Sequence, residues 1–341
     1  MTEHNAQHAA ATTATTETTR QNADLQAPLA AAPASGWGTR QEPWLWMDGR
    51  FFAGDAARIP ALSGALHDRR GVWEGVRAYA TPNGPRLFAL GAHLERLRRG
   101  AERLGLTTDL EALGWACEEI VFRNGYDDAH VRVLLFPGPM PGASHAAAVA
   151  RPWASQDAEG PEGRPTSGVR ATFAILAASA RTDHPPLKRT GPCPQRIFAQ
   201  RDAAAAGFDE AIFFDPEGRV IDAAGANVCA VIDGKVVAAA HPDALAGITR
   251  RVVLGLAGGS ERALLREDLL SAEEVFLTGT SAEITPVREL DGVRYADGPV
   301  TRRLRGEYQS LVRGGARDET ESLDGFPPPC GVACYATQVA P

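Results

Sequence analysis

Short apolar runs separated by turn residues dominate the first half of the chain and predict β-strands there. The predicted strands lie at 44–47, 50–52, 72–79, 86–88 and 130–136. Asp48 and Gly49 form a tight turn that joins the first two strands into a hairpin. Between His93 and Leu104, apolar residues recur every three or four positions, which predicts an amphipathic helix. A second helix is predicted at 109–123.

The second half of the chain has the same mixture of patterns. Strands are predicted at 169–178 and 274–278, and hairpins at 210–222 and 228–237. Helices are predicted at 196–206, from Gly247 to Leu256, and at 300–312. Strands and helices mixed in two blocks indicate an α/β (α+β) fold of two domains.

The composition divides the chain into five segments. Residues 1–42 are rich in Ala, Thr and Gln and cannot bury enough apolar surface to offset the entropy of ordering, which predicts a disordered tail. A small α/β domain at 43–151 and a large α/β domain at 168–314 follow, separated by a Pro- and Gly-rich loop at 152–167. Residues 315–341 become polar and then rich in Pro, Gly and Cys, and we predict a second flexible tail.

Charge and cysteine content restrict the possible functions. The 341 residues carry a net charge of −7 and are 44% hydrophobic. The negative charge argues against binding to nucleic acids or anionic membranes, and no apolar run approaches the roughly 20 residues of a membrane span. Five cysteines, an odd number, and no secretory signal indicate a reducing compartment without a disulfide framework. These features predict a cytoplasmic protein.

Lysine is rare in this chain, which has two lysines against 33 arginines. An arginine stays protonated, whereas a buried lysine amine can lose its proton and form a Schiff base. Lys235 lies in a predicted hairpin turn on the solvent side and needs no special explanation. Lys188 lies in a segment bounded by Pro and Gly between two strands, so it is the candidate for chemistry. The alternative is an ordinary surface lysine.

Two threonines and one arginine are candidates for binding a phosphate. Thr249 follows Gly247 at the start of a helix, where a hydroxyl and the first free N–H groups form an anion site. Residues 280–283 (TSAE) follow a strand and have the Thr-x-x-Glu spacing of a capping box, which predicts the same arrangement. Arg96 lies on a helix with one apolar face. The ordinary alternatives are simple helix caps and, for Arg96, a surface arginine.

A reactive lysine, a phosphate cradle and a carboxylate on a strand are the parts that a pyridoxal 5'-phosphate (PLP) site needs. The lysine holds the aldehyde, the cradle binds the phosphate, and the carboxylate keeps the ring nitrogen protonated. Asp222, at the end of a predicted hairpin strand, is the candidate carboxylate. The alternative is an Asp that caps a turn.

Five motifs resemble, in their order and spacing, those of the class IV (fold type IV) aminotransferases, and within them the bacterial branched-chain amino acid aminotransferases. The motifs are VWEGVRAY at 72–79, AHLERL at 92–97, AHVR at 129–132, AGITR at 246–250 and GTSAEITPV at 279–287. The resemblance runs from Trp44 to Arg313. It implies two α/β domains with PLP between them and amino transfer between an amino acid and a 2-oxo acid. It also implies a homodimer or a higher assembly in which a neighbouring subunit completes each pocket.

The resemblance implies a role for each candidate residue. Lys188 would bond the cofactor and move a proton between it and the substrate α-carbon. The other cofactor contacts are implied for Arg96, Ile248, Thr249 and Thr280 at the phosphate and for Asp222 at the ring nitrogen. The substrate contacts are implied for Arg132 near the carboxylate, for the backbone N–H groups of Ser281 and Ala282, and for Trp73 as an aromatic wall.

Several positions of the site depart from the family pattern. The ring-nitrogen carboxylate is usually Glu, where this chain has Asp222, and a Tyr usually stands at the position of Cys193. Asp68 and His130 also replace residues that are usually Tyr, and Ala226 replaces a usual Glu. The acid and the imidazole fall in the implied substrate pocket, which should be mostly apolar for Leu, Ile and Val.

These departures predict an unusual substrate. Burying Asp68 and His130 without partners would cost on the order of 2–7 kcal/mol each. We therefore expect them to pair with each other, with Arg69, or with a polar substrate. The substrate would then not be a plain branched-chain amino acid.

Two other functions remain open. A PLP-dependent lyase of the aminodeoxychorismate lyase type shares this fold and lysine, although the motifs at 72–79 and 279–287 favour an aminotransferase. Because Cys193 and Asp222 depart from the pattern, a degenerate site that works without PLP is the other alternative. In the C-terminal tail, Cys330 and Cys334 have no further Cys or His nearby, so no metal site is predicted.

Overall fold

The computed structural model describes residues 43–54, 56–59, 63–138, 140, 142–153, 168–175, 186–191, 193–296 and 298–314. These residues belong to one compact unit that begins at Pro43. The two predicted tails, with Cys330 and Cys334, lie outside the described residues, as does the predicted loop from residue 154 onward. The division into domains remains a prediction. Within the described ranges, no helix is both long and apolar enough to cross a membrane.

The first half of the described chain folds into a six-stranded sheet and three helices. The strands are β1 (Trp44–Met47), β2 (Arg50–Ala53), β3 (Val72–Thr81), β4 (Gly84–Leu87), β5 (Ala129–Pro137) and β6 (Ser144–Pro152). The helices are α1 (Gly64–His67), α2 (Leu90–Arg103) and α3 (Leu110–Asn124). The strands lie in the order β2-β1-β6-β5-β3-β4, and all neighbours are antiparallel.

Local signals fix the helices of this half. Asp109 caps α3 by accepting a hydrogen bond from Ala112 N–H at 3.0 Å, and Gly125 ends the helix in the left-handed conformation, with φ +62°. Leu97 of α2 and Leu113 of α3 belong to one buried cluster with the strands. The apolar face predicted for α2 is therefore the face that anchors it to the sheet.

The second half folds into a nine-stranded mixed sheet and four helices. The strands are β7 (Val169–Ile175), β8 (Glu210–Phe214), β9 (Val220–Ala223), β10 (Asn227–Ile232), β11 (Lys235–Ala239), β12 (Ser260–Arg262), β13 (Glu274–Gly279), β14 (Glu283–Leu290) and β15 (Val293–Arg294). The helices are α4 (Pro194–Ala205), α5 (Ile248–Ala257), α6 (Arg266–Leu270) and α7 (Pro299–Arg313). The order is β12-β11-β10-β13-β14-β7-β8-β9, with β15 beside β14. Pairs β11–β12, β14–β7 and β7–β8 are parallel.

Buried contacts join the two sheets. Tyr79 of β3 and Phe88 after β4 pack with Phe276 of β13 and Tyr308 of α7 in one buried cluster. The hydroxyl of Tyr79 donates to Oε1 of Glu283 at 2.9 Å. Burial, with the nearby Tyr308 and Glu283, raises the pKa of Tyr79 well above its usual value, so this hydroxyl stays a donor. The first residue of β14 is thereby tied to β3.

Most predicted elements are present within a few residues of their predicted limits. The helix predicted at 93–104 begins earlier, at Leu90, and the strand predicted at 130–136 spans Ala129–Pro137. The sequence patterns do not predict β6, β12 or α6. Strand β6 reads SHAAAVARP, and its small residues carry little strand propensity.

The capping box predicted at 280–283 is wrong. These residues form the turn between the antiparallel strands β13 and β14, and Gly279 pairs with Glu283 across it. Glu283 is the first residue of β14 and has a φ of +48°. Its carboxylate binds Tyr79 rather than a helix N-terminus, because the strand turns back instead of continuing into a helix.

Candidate active site

Lys188 lies in a short segment, residues 186–191, that runs beside the start of β3. Its carbonyl accepts a hydrogen bond from Trp73 N–H at 2.9 Å, and Thr190 N–H donates to the carbonyl of Gly71 at 2.8 Å. The guanidinium of Arg189 donates to the carbonyl of Arg69 at 2.9 Å. These bonds fix the backbone that carries the lysine to the first sheet.

The amine of Lys188 is held in surroundings that disfavour its charge. Burial lowers the pKa of Lys188 from 10.5 to about 8. Glu74 and Asp222 oppose the decrease, and Arg96 and Arg132 add to it. The charges of three predicted site residues, Arg96, Arg132 and Asp222, therefore act on this amine. Lys235 is exposed at the start of β11, so Lys188 stays the predicted lysine for chemistry.

Arg96 of α2 is held by two elements. Its Nε and Nη2 atoms donate to the two carboxylate oxygens of Glu74 at 2.6 and 2.8 Å, and Nη1 donates to the carbonyl of Ala246 at 2.7 Å. Burial would raise the pKa of Glu74, but Arg96 and His93 outweigh it and lower this pKa to about 2. The ionised carboxylate can only accept, so Nδ1–H of His93 donates to it at 2.9 Å. Arg96 is thus fixed against the residue that precedes Gly247.

The start of α5 presents Ile248 and Thr249. Its first intrahelical bond runs from Arg251 N–H to Gly247 O, so the preceding N–H groups have no partner within the helix. Asn227 donates through Nδ2 to the carbonyl of Leu245 at 2.8 Å. A Cβ added at Gly247 would overlap Oδ1 of Asn227, so only glycine fits here. The start of α5 thus lies beside the guanidinium of Arg96, and phosphate binding by Arg96, Ile248 and Thr249 stays a prediction.

Asp222 of β9 is buried, with 6% of its surface exposed. Burial raises the pKa of Asp222, while Arg196 and the N–H of Leu245 oppose the increase. Oδ1 lies 2.7 Å from Nη1 of Arg196, but it is a buried oxygen that accepts no aligned hydrogen bond. Among the described residues, this oxygen therefore lacks an aligned donor.

The turn that carries Thr280, Ser281 and Ala282 lies next to the chain that follows Asp222. A Cβ added at Gly279 would lie 3.3 Å from the carbonyl of Gly225. The hydroxyl of Thr285 donates to the carbonyl of Ala282 at 2.7 Å and fixes the turn. These three residues therefore lie at the same end of the second sheet as Asp222 and the start of α5.

Trp73, His130 and Arg132 lie on neighbouring strands β3 and β5. The indole ring of Trp73 contacts two basic groups, with Nζ of Lys188 at 4.0 Å and Cζ of Arg132 at 4.5 Å from its centroid. Nε2 of His130 is 2.6 Å from the position of a Cβ on Gly75, so the imidazole covers this glycine. Burial, with Arg132, Arg77 and Lys188, lowers the pKa of His130 from 6.5 to about 3, which leaves it neutral at pH 7.

Asp68 differs from the other predicted residues. It ends α1 and is exposed in the described chain. In the single chain this carboxylate bears no desolvation cost, so the expected burial and pairing of Asp68 stay a prediction for an assembly in which a neighbouring subunit covers it. His130 instead packs beside the ring of Trp153, with centroids 5.5 Å apart.

Three further residues of the site escaped the sequence analysis. Glu74 and His93 hold Arg96. A signal was present, since strand alternation places Glu74 on the same face as Val72 and Val76, where a lone acid requires a partner. Arg196, which contacts Asp222, lies in the first turn of α4, where the helix dipole disfavours a cation.

Comparisons with known proteins agree with this site. Residues 71–290 match the family model described as amino-transferase class IV. The chain is 31% identical to the branched-chain-amino-acid aminotransferases of Escherichia coli (strain K12) and Pseudomonas aeruginosa. The first match covers 84% of this chain and 98% of that protein, and the second 81% and 95%.

Solved structures show the same fold. The branched-chain aminotransferase of the thermophilic archaeon Thermoproteus uzoniensis, solved with norvaline, superposes with a TM-score of 0.71 at 32% identity, and the match covers 84% of this chain and 99% of that one. A branched-chain amino acid aminotransferase solved with pyridoxamine 5'-phosphate superposes with a TM-score of 0.74 at 34% identity, over 82% of this chain and 97% of that one. The chain belongs to the class IV aminotransferases, which are PLP-dependent transaminases of fold type IV. These relatives do not favour the lyase alternative.

The described residues fit PLP. Asp222 supplies a buried carboxylate whose Oδ1 contacts Arg196 at 2.7 Å and has a second lone pair for a ring N–H. Gly247 lets the start of α5, with its first free N–H groups, pack against Asn227. Lys188 supplies the amine with a lowered pKa. No group of three or more metal-ligating side chains occurs in the part of the chain that the structure describes.

Proposed function

We propose that this chain transfers an amino group between an amino acid and a 2-oxo acid, with Lys188 as its catalytic residue. The observation that carries the proposal is the placement of the Lys188 amine, which lies 4.0 Å from the ring centroid of Trp73 on a backbone bonded to the start of β3. Burial lowers its pKa to about 8, and the charges of Arg96, Arg132 and Asp222 act on it. Such an amine is present partly in its neutral form near pH 7, as a nucleophile and general base requires.

The other predicted residues take their roles around this amine. Arg96, Thr280 and the start of α5 at Ile248 and Thr249 would bind the phosphate of PLP. Asp222 would hold a proton at the ring nitrogen. When bound, the cofactor supplies an electron-withdrawing ring that stabilises charge on the substrate α-carbon. Lys188 would take the proton from that carbon and return it.

A second set of residues near the Lys188 amine would bind the substrate. The guanidinium of Arg132 is exposed on the Trp73 ring and would attract a carboxylate, as would the N–H groups of Ser281 and Ala282. The neutral imidazole of His130 offers a hydrogen bond where the family usually has a tyrosine. The pocket otherwise resembles that of the branched-chain enzymes. Because of His130, we propose a substrate more polar than Leu, Ile or Val. Asp68 would contribute only if a neighbouring subunit covers it.

The assembly and location are also proposals. A homodimer or higher homo-oligomer agrees with the resemblance, in which a neighbouring subunit completes each pocket. A cytoplasmic location agrees with the odd cysteine count and with the three free cysteines of the described residues, Cys117, Cys193 and Cys229.

A panel of amino donors and 2-oxo acid acceptors tests the proposed function. The protein with PLP should form one amino-acid product for each donor consumed, and only when a 2-oxo acid is present. Lys188→Ala should abolish formation of the amino-acid product. Lys235→Ala, which changes the other lysine, should not. Without an acceptor, amino transfer can release at most one equivalent of 2-oxo acid per enzyme, so repeated turnover without any acceptor would indicate a lyase. No reaction with any pair would contradict amino transfer.

The same panel tests the substrate class. At least one polar amino acid should be used faster than Leu or Val. His130→Tyr, which restores the usual residue, should shift the ratio of kcat/KM values toward Leu and Val by about 10-fold. A wild-type preference for Leu or Val over all polar donors by a wide margin would contradict the substrate proposal and leave amino transfer intact.

A further inference from the structure

Arg196 is held at Asp222 by three contacts. Its Nη1 atom lies 2.7 Å from Oδ1 of Asp222 and donates to the carbonyl of Ala223 at 3.1 Å. Its guanidinium carbon lies 4.7 Å from the ring centroid of Phe213. Arg196 stands in the first turn of α4, where the helix dipole disfavours a cation, so its placement reflects these contacts rather than the helix.

The carboxylate of Asp222 has two partners, the guanidinium of Arg196 and the N–H of Leu245. Oδ1 is paired with the charge of Arg196 at 2.7 Å, and because a carboxylate oxygen has two lone pairs, one remains open to a further donor. The N–H of Leu245 donates to the same carboxylate. The other charged or titratable groups that face it are Lys188 from the segment 186–191 and His241 after β11. Arg196 is thus the fixed charge in direct contact with this oxygen.

Two consequences follow from a permanent charge at this distance. An arginine is protonated at all ordinary pH values, so Arg196 favours the ionised form of Asp222 against the effect of burial. It also repels any second cation at the same carboxylate. A protonated ring nitrogen that uses the open lone pair would therefore be held less firmly than by an unpaired carboxylate.

We propose that Arg196 is a positioning residue that keeps Asp222 ionised and lowers the proton affinity that this carboxylate gives to the ring nitrogen of PLP. The second half of this statement rests on the proposed role of Asp222. The first half concerns the protein alone and can be tested without cofactor. The ring of bound PLP would then be protonated less readily, and would withdraw electrons less strongly, than beside an unpaired carboxylate.

The first test measures Asp222 in the cofactor-free protein. Aspartate is labelled with ¹³C at the carboxyl carbon, and the Asp222 resonance is assigned by its loss in Asp222→Asn. In the wild type this carboxyl should be ionised at pH 7. Arg196→Gln should raise its titration midpoint by about one pKa unit or more, and Arg196→Lys, which keeps the charge, should retain most of the wild-type value. Arg201→Gln, on the exposed side of the same helix, should not change it.

The second test uses PLP labelled with ¹⁵N in the ring, whose chemical shift reports protonation at that nitrogen. Arg196→Gln should raise the titration midpoint of the ring nitrogen, while Arg201→Gln should not. A purely structural role for Arg196 would change occupancy or stability but not this midpoint.

The outcomes are distinguishable. An unchanged Asp222 midpoint in Arg196→Gln, or an Asp222 that is protonated at pH 7 in the wild type, would overturn the proposal. The wild-type measurement decides this even if Arg196→Gln does not fold. An unchanged ring-nitrogen midpoint would overturn the second half. If the wild type binds no PLP, the proposed function fails, and the Asp222 measurement still decides the role of Arg196.

Discussion

At the scale of single residues, Lys188 and His130 are both held in surroundings that disfavour their charged forms. Burial is the largest cause for each, and neighbouring arginines add to it. Among the residues that the structure describes, no carboxylate pairs with Lys188 as Glu74 pairs with Arg96. Its lowered pKa is the property that a reacting amine needs, and it opposes stability, as is common for groups at active sites.

Lys188→Met should stabilise the cofactor-free protein at pH 7 by about 1–3 kcal/mol. Above pH 10.5, the usual pKa of the lysine, the amine is neutral in both states and costs nothing. As the pH falls from 10.5 to about 8, the unfolded chain binds a proton that the folded chain resists, and stability is lost. Below that range the loss is complete. Urea unfolding at pH 7 and at pH 10 measures the difference, which should shrink at pH 10.

Lys235→Met is the matched control for this prediction. Lys235 is exposed, so its removal should change the free energy of unfolding by no more than about 0.5 kcal/mol. A Lys188→Met protein that is less stable than the wild type at pH 7 would show that the charged amine is satisfied in the fold, and would contradict the desolvation inferred for it.

The sequence could reveal Lys188 but not Arg196. A chain with two lysines leaves few candidates, and the motifs carry Arg96, Thr249 and Thr280 directly. Arg196 is one of 33 arginines, and its contact with Asp222 depends on how α4 lies against β9, which no local pattern encodes. The exposure of Asp68 in the single chain was missed for the same reason, since burial is a property of the tertiary structure.

At the scale of elements, the phosphate cradle depends on a close approach between the start of α5 and β10. Asn227, the first residue of β10, binds the carbonyl of Leu245 and leaves no room for a side chain at Gly247. The AGITR motif indicated a helix start with free N–H groups. The Thr-x-x-Glu spacing at 280–283 gave the wrong prediction of a helix cap. This spacing fits a helix cap and a strand turn equally well when the following residues are apolar and β-branched.

Gly247→Ala should destabilise the protein by about 1–3 kcal/mol and weaken PLP binding. The added Cβ would overlap Asn227, which would lose its bond to Leu245 and shift the helix start. Thermal unfolding and the PLP dissociation constant are the two measurements. Gly306→Ala is the control, because Gly306 lies within α7 with no atom near the added Cβ, and alanine should stabilise that helix by about 0.5–1 kcal/mol. Equal effects of the two substitutions would contradict the close approach.

At the scale of the whole molecule, a buried polar cluster ties the two sheets together around Glu283. Its Oε1 accepts from the hydroxyl of Tyr79 at 2.9 Å and lies 3.3 Å from Nη1 of Arg77, and its Oε2 accepts from Nε2 of Gln309 at 2.7 Å. Arg77 and Tyr79 belong to β3, and Gln309 belongs to α7. Because Glu283 begins the strand after Ser281 and Ala282, this cluster also sets the position of the turn that carries these two residues.

Glu283→Gln should lower the free energy of unfolding by about 3–5 kcal/mol, because it leaves the buried Arg77 without its counter-charge. Amide hydrogen exchange should show reduced protection in β3 and in β13, that is, in both sheets. Glu307→Gln, the same change in an exposed pair with Arg303 on α7, should cost no more than about 0.5 kcal/mol. Loss of protection confined to β13 and β14 would contradict the role of Glu283 in joining the sheets.

The most direct test of Lys188 as the catalytic residue is to locate the covalent attachment of PLP. The protein is incubated with PLP and reduced with borohydride, which fixes the cofactor to its amine, and the labelled peptide is identified by mass spectrometry. Label is expected on Lys188, lost in Lys188→Ala and retained in Lys235→Ala. Label on Lys235 or on the N-terminal amine alone, or no label at saturating PLP, would contradict this role.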